Sequence, residues 1–347
     1  MKAYVLHGIN DLRLEEVKTP KPGDHEVLVK VQAAGICGSD IPRIFRNGTY
    51  SFPLIPGHEF AGEVCELGEL VDERWQGKRV GVFPLIPCHN CVPCQKHQYE
   101  MCRSYRYLGS RTNGGFAEFV IVPENNLLEL PEEVSMEQAA MLEPMAVAIH
   151  TMRNAKICPE QSVAICGLGT IGLLLCMFLI EAGVNNIFVI GNKEFQKECA
   201  LKLGIPEENY CDGRTTDVDA WIVERTQRRG IDIFFECVGK NTTISQAICN
   251  AAPGGTVQLV GNPATDIQFE KNVYWKILRN QLTVLGTWNS SFLREETDDW
   301  HYAIERLVEG KVHPEMFITQ KLAFQELETG LHIMRDKTKD YVKIMIC

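Results

Sequence analysis

Gly167-Leu168-Gly169-Thr170-Ile171-Gly172 follows the apolar run Ser162-Val163-Ala164-Ile165-Cys166 and opens a greasy stretch that continues to about Glu181. A buried strand that turns at once into a helix is a demanding junction. It needs one residue without a Cβ at the tight turn, one where backbone can approach a ligand, and one where helix and strand touch. The helix N-terminus so formed offers unpaired N–H groups and a positive dipole end, which suit a pyrophosphate. In isolation the G-x-G-x-x-G pattern is weak, because a chain with 28 glycines produces near matches by chance. The flanking strand and helix turn it into a dinucleotide-binding signal, with Gly167, Gly169, Thr170, Ile171 and Gly172 at the cofactor. A plain packing turn is the bland alternative.

The surrounding pattern agrees. Asn186 to Ile190, Asp232 to Glu236, Thr256 to Val260 and Leu282 to Gly286 read as further strands, and Lys193 to Leu203 reads as a helix. Alternating strand and helix implies a parallel sheet covered on both faces. Upstream the grammar differs. Val27–Ala33, Glu63–Leu67, Arg79–Phe83 and Phe116–Val122 alternate apolar and polar residues between Gly, Pro, Asp and Asn, as short antiparallel strands do. The expected α/β architecture is a β-rich domain over 1–153 and a Rossmann-type doubly wound domain over 154–288. A tail over 289–347 is too short to stand alone and should rejoin the first domain.

A net charge of −10 argues against a phosphate-coating nucleic-acid binder. The longest apolar run, Ile165 to Ile180, contains glycines and falls short of the ~20 residues needed to span a bilayer. No signal-like start is present, so a cytoplasmic chain without membrane partners is expected. The glycosylation-like triplets at Asn47, Asn241 and Asn289 are then chance matches.

Fourteen cysteines is a high count, and four of them crowd into one loop as Cys88-x2-Cys91-x2-Cys94-x7-Cys102. Scattered thiols in a reducing compartment are mostly small core residues. Four thiolates at Cys-x2-Cys spacing instead suit tetrahedral zinc, with no coordination position left open, so the site should be structural. An iron–sulfur cluster is the chemical rival. His89 and His97 fall inside the loop as bystanders.

Cofactor choice is read at the end of the second strand. NAD-binding folds place an Asp or Glu there for the ribose 2′-hydroxyl. This chain has Gly191-Asn192-Lys193. Losing the carboxylate removes repulsion toward a 2′-phosphate, while Lys193 adds a cation and Asn192 a donor. The pattern leans to NADP over NAD, and an aspartate restored at 191 should swing it back. Glu194 could still reach the ribose in a shifted register.

Three further elements are weak singly: Cys37-Gly38-Ser39-Asp40, Gly57-His58-Glu59-Phe60-Ala61-Gly62 and Glu143-Pro144. Joined to the cysteine loop and the glycine turn, their order and spacing resemble the zinc-dependent medium-chain dehydrogenases, closest in the polyol and sugar-alcohol branch. The resemblance spans essentially the whole chain. It implies a GroES-like catalytic domain, a catalytic zinc beside the structural one, and a homodimer or homotetramer. It also implies that Cys37, His58 and a carboxylate hold the catalytic metal. Glu143 is the expected ligand or partner of the zinc-bound water, with Glu59 behind the metal or exchanging onto it. Ser39 is expected to take the substrate proton. The substrate would be a sugar alcohol or its phosphate, and Arg43, Arg46 and Arg111 are candidates for the phosphate. Trp288 falls where the family lines its substrate cleft. Plain sorbitol-like polyols and ribitol 5-phosphate stay open, and a non-catalytic zinc-ribbon protein is the reading from another class.

Overall fold

The computed structural model describes residues 1–295 and 298–347, which form two compact units. One comprises Met1–Ala146 with Ser290–Cys347, the other Val147–Asn289. The first cut falls inside the helix Leu142–Asn154, ahead of the grammatical change at 153/154. Periodicity alone does not reveal that division.

The first unit is built on a long central strand, Glu26–Ile36. Glu59–Leu67 pairs with it antiparallel along one edge, followed outward by Arg79–Val82 and Leu127–Glu129. The other edge is shared. Phe119–Pro123 pairs with the start of the central strand, and the C-terminal strand Lys343–Ile346 pairs with its end. Ile318–Leu322 then joins the C-terminal strand in parallel. The tail is thus sheet-bonded to the N-terminal residues. Alternating side chains from these strands meet a separate hairpin, Lys2–Gly8 with Asp11–Glu16, in a core around Tyr4, Val29, Phe60 and Phe116.

The second unit carries six parallel strands in the order Tyr210–Asp212, Asn186–Gly191, Ser162–Cys166, Ile231–Glu236, Ala251–Leu259, Thr283–Gly286. Numbered along the chain this is 3-2-1-4-5-6, the doubly wound Rossmann order. All five residues of Ser162–Cys166 are buried, as expected of a strand with both faces covered. The helix Thr170–Glu181 is buried continuously from Gly172 to Leu179, which explains its lack of a polar stripe. Tyr210–Asp212 escaped the sequence reading because three residues carry too little pattern.

Candidate active site and metal centres

Cys37 sits where the central strand ends and the chain turns. Asp40 builds that turn: its Oδ2 accepts from Cys37 N–H at 3.0 Å, and its Oδ1 accepts from Arg43 Nη1 at 2.7 Å. Ser39 donates to the Cys37 sulfur from its hydroxyl at 3.3 Å and from its N–H at 3.5 Å. His58 and Glu59 arrive with the neighbouring strand, and Glu59 lies opposite Gly35 in the antiparallel register. A Cβ on Gly35 would overlap the Glu59 carboxylate, so the missing side chain makes room for the acid. Donor atoms of Cys37, His58 and Glu59 all lie within 4.8 Å of one another.

A third strand completes the surroundings. Lys343, buried at the start of the C-terminal strand, donates to the Ile36 carbonyl at 3.2 Å and to Glu59 Oε2. Glu143 lies outside the convergent donor set. It occupies the first turn of the helix Leu142–Asn154, and its Oε1 accepts from the Tyr107 hydroxyl at 3.0 Å. Tyr107 in turn stands edge-on to the His58 ring, centroids 5.8 Å apart.

Charge explains what this cluster can hold. Asp40, Glu59 and Glu143 are buried beside Cys37 and His58, and the cations that meet them are Lys343, on Glu59, and Arg43, on Asp40. Buried charge must be paired or must coordinate metal. Three buried carboxyl groups beside a thiol and an imidazole are a donor set suited to a divalent cation. The same groups act on one another's titration. Burial works against a charged His58, yet Asp40 and Cys37 hold its pKa well above the usual range. Burial, with Glu59 nearby, raises Glu143, and burial, with Glu143, pushes Tyr107 far up. Lys343 is raised despite its burial because Glu59 and Cys37 face it. His58 Nδ1 lies 3.5 Å from Asp40 Oδ1, near enough for charge attraction but without a hydrogen bond. It is the position of a carboxylate that orients a metal-binding imidazole.

The four-cysteine loop is a different construction. Cys91 Sγ lies 3.5 Å from Cys94 and 3.9 Å from Cys102, and Cys88 lies 4.0 Å from Cys94. A tetrahedron of sulfurs around zinc, with Zn–S of about 2.3 Å, has an edge of about 3.8 Å. All four are free thiols rather than disulfides. Backbone N–H groups of Arg103 and Cys94 hold the Cys91 thiol down to about 6, favouring the thiolate that binds metal. His89 and His97 turn onto Tyr99 instead of the sulfurs.

The expected substrate residues part company. Arg43 is committed to Asp40 and helps build the metal-site turn. Arg46 is exposed. Arg111 lies between two aromatic rings, 4.1 Å from the Tyr105 centroid and 4.2 Å from that of Tyr50, and donates to the Tyr50 hydroxyl at 3.1 Å. Tyr105 is 6.1 Å from Tyr107, so an aromatic series runs from His58 to Arg111. Trp288 belongs to the other unit and is 52 % exposed.

In the second unit the glycine turn behaves as its chemistry demands. Gly167 has φ +100°, and a Cβ there would press on Val238 across the point where strand order reverses. A Cβ on Gly172 would overlap the Gly167 carbonyl, whereas one on Gly169 would meet nothing within 4 Å. The space at Gly169 is open, and it lies at the helix N-terminus. Gly191 closes the second strand, with Asn192 and Lys193 leading into the helix Glu194–Lys202.

Residues 23–132 match the alcohol dehydrogenase GroES-like domain, and residues 170–309 match the zinc-binding dehydrogenase family. The chain belongs to the zinc-dependent medium-chain dehydrogenases, in their polyol branch, and is an NAD(P)-linked alcohol dehydrogenase. It is 33% identical over 328 residues to galactitol 1-phosphate 5-dehydrogenase of Escherichia coli K12, covering 94% of each chain. Sorbitol dehydrogenase of Bacillus subtilis is 28% identical over 352 residues, covering 100% of this chain and 97% of that one. The crystal structure of the E. coli galactitol-1-phosphate dehydrogenase superposes with a TM-score of 0.92 at 30% identity, covering 100% and 99%. Two other similar structures hold nicotinamides. A Sinorhizobium meliloti zinc-binding dehydrogenase bound to NADP has a TM-score of 0.89 at 28% identity, covering 99% and 98%. An E. coli alcohol dehydrogenase with NADH has 0.91 at 26%, covering 100% and 98%. Family membership sets aside the non-catalytic zinc-ribbon reading. Among the described residues no helix is long and apolar enough to cross a membrane.

Proposed function

We propose that this chain oxidises a secondary alcohol of a phosphorylated hexitol, with galactitol 1-phosphate going to tagatose 6-phosphate as the leading case and NADP as the acceptor favoured over NAD. The observation that carries the reading is the convergence of Cys37, His58 and Glu59 donors beside further buried carboxyl groups. Cys37, His58 and Glu59 would hold the catalytic zinc, and Cys88, Cys91, Cys94 and Cys102 a structural one. When bound, the catalytic zinc supplies a Lewis acid that acidifies the substrate hydroxyl, and the nicotinamide supplies the hydride acceptor. The residues do the rest. Asp40 fixes the Cys37 turn and faces His58. Lys343 keeps the Glu59 carboxylate in place. Ser39, beside the Cys37 sulfur, would relay the hydroxyl proton, accepting it on Oγ while releasing its own proton outward to solvent. Glu143, with its proton-sharing partner Tyr107, holds water or substrate next to the donor set rather than ligating the metal. Gly167, Gly169, Thr170, Ile171 and Gly172 seat the pyrophosphate, while Gly191, Asn192 and Lys193 face the adenosine ribose.

Arg111, held at the end of the aromatic series, is the best-supported phosphate contact of the three arginines. A second reading, an unphosphorylated polyol, is favoured by the commitment of Arg43 to Asp40, which removes one cation from phosphate duty. Kinetics with galactitol 1-phosphate, ribitol 5-phosphate and sorbitol, each with NADP and NAD, decide between them. The proposal expects the hexitol phosphate with NADP to have the highest kcat/KM. Equal rates with and without phosphate would overturn it.

We also propose a cytoplasmic homodimer, with a homotetramer as the alternative. Tyr274, Trp275 and Leu278 are exposed on the helix Lys271–Arg279, and Val284 is exposed on the outermost strand of the parallel sheet. That apolar edge suits a second copy of the chain. Light scattering would show a dimer mass, and a monomer at micromolar concentration would refute it.

A further inference from the structure

Where NAD-type folds place a ribose-binding carboxylate, this chain has Gly191, and the space such a side chain would enter is held by another residue. A Cβ on Gly191 would lie 3.0 Å from both Cε2 and the hydroxyl of Tyr210, and 3.2 Å from Leu168 Cδ1. Leu168 belongs to the glycine turn, so these contacts bring the Tyr210 hydroxyl to the dinucleotide end of the sheet. Tyr210 opens the strand next to Asn186–Gly191, its Cα in register with Val189. Its hydroxyl is buried and has no hydrogen-bond partner. A buried donor left unmade is costly, and an acceptor on a ligand would relieve it. Burial, then Asp212 and Glu194, pushes its pKa up to about 12, so it stays protonated and able to donate near neutrality. Two cations near it have other partners: Lys197, 5.7 Å from the Tyr210 ring centroid, pairs with Glu207, and Arg214 pairs with Asp212.

We propose that Tyr210 reads the adenosine ribose in this chain, its hydroxyl donating to the 2′-substituent and its ring barring a side chain at position 191. The inference rests on the dinucleotide reading of the glycine turn and deepens it. It also revises the expectation for Gly191→Asp. A carboxylate introduced alone meets the Tyr210 ring before it meets a ribose. Selectivity is then a property of the pair, a small residue at 191 with a large one at 210.

Isothermal titration of the full chain with NADP and with NAD, in the absence of substrate, tests this. Tyr210→Phe should weaken NADP binding about tenfold, the scale of one hydrogen bond to a charged acceptor, with an unchanged melting temperature. Gly191→Asp alone should weaken both dinucleotides, and Gly191→Asp with Tyr210→Ala should recover NAD while NADP stays weak. If Gly191→Asp does not fold, Tyr210→Phe alone decides. Affinities of Tyr210→Phe within about twofold of the parent chain for NADP, or a switch to NAD in Gly191→Asp without help at 210, would overturn the inference and leave the cofactor reading standing. A parent chain that binds neither dinucleotide would overturn both.

Discussion

The two proposed metal centres solve the same problem by opposite means. The four-cysteine loop gathers its donors from one short stretch of chain, and backbone N–H groups of that stretch donate to the Cys91 and Cys102 sulfurs. The other centre takes Cys37 from one strand end, His58 and Glu59 from the next, and a counter-ion, Lys343, from 284 residues away. A loop that satisfies itself has no spare valence and ties down only its own surroundings. A centre assembled from three strands rests on a sheet that already holds, and carries charge that only a ligand completes. One site should therefore register in stability, the other in turnover.

The largest expected effect breaks turnover alone. Cys37→Ala or His58→Ala removes a zinc ligand, and kcat/KM should fall by about a thousandfold or more, a loss of several kcal/mol of transition-state stabilisation. The melting temperature should fall less than it does in Cys91→Ser, because the strands are held by other contacts. A large fall in stability would erase the contrast. Next in size is the choice of carboxylate. Glu59→Gln should lose the metal and about a hundredfold in rate, whereas Glu143→Gln should keep the metal while slowing turnover. Metal retention in the first and loss in the second would reinstate Glu143 as the ligand.

Stability effects come next. Cys91→Ser should lower the melting midpoint by several degrees, since zinc binding supports the loop, with kcat of the folded protein changed less than about twofold. Lys343→Met sharpens the contrast from the other side. It leaves Glu59 buried without its cation, a loss of about 3–5 kcal/mol in a metal-free protein. Thermal melts should show that zinc restores more stability to this variant than to the parent chain, and equal zinc effects would contradict the charge argument. The smallest effect is at Arg111. Arg111→Ala should raise KM for a hexitol phosphate about tenfold and leave sorbitol unaffected, as steady-state kinetics would show.

How readily each centre is read from sequence follows the same division. Cys88, Cys91, Cys94 and Cys102 announce themselves because ligand spacing and chain spacing coincide. The glycine turn is nearly as plain, since strand, turn and helix are consecutive. The buried parallel strands also come through, as continuous apolar runs. Lys343 does not. Its partner lies at the far end of the chain, and its only trace is a lysine interrupting Tyr341-Val342-Lys343-Ile344-Met345-Ile346 where an apolar residue would be expected. Tyr107 and Gly35 likewise act through strand register, which sequence spacing does not encode. Arg43 is instructive in another way. A guanidinium near Cys37 reads from sequence as a substrate contact, and its bond to Asp40 becomes visible only in the turn. Tyr210 was hidden for a related reason, since a glycine's missing side chain does not say which neighbour has moved into its place.

Zinc content per chain, measured on the purified protein and on two variants, bears most directly on the picture of one self-contained site and one open to substrate. Two equivalents are expected in the parent chain. Cys37→Ser should retain one with no turnover, and Cys91→Ser should retain one with the larger fall in melting temperature of the two. A parent chain with a single zinc, or a Cys37→Ser variant that keeps both, would contradict the account.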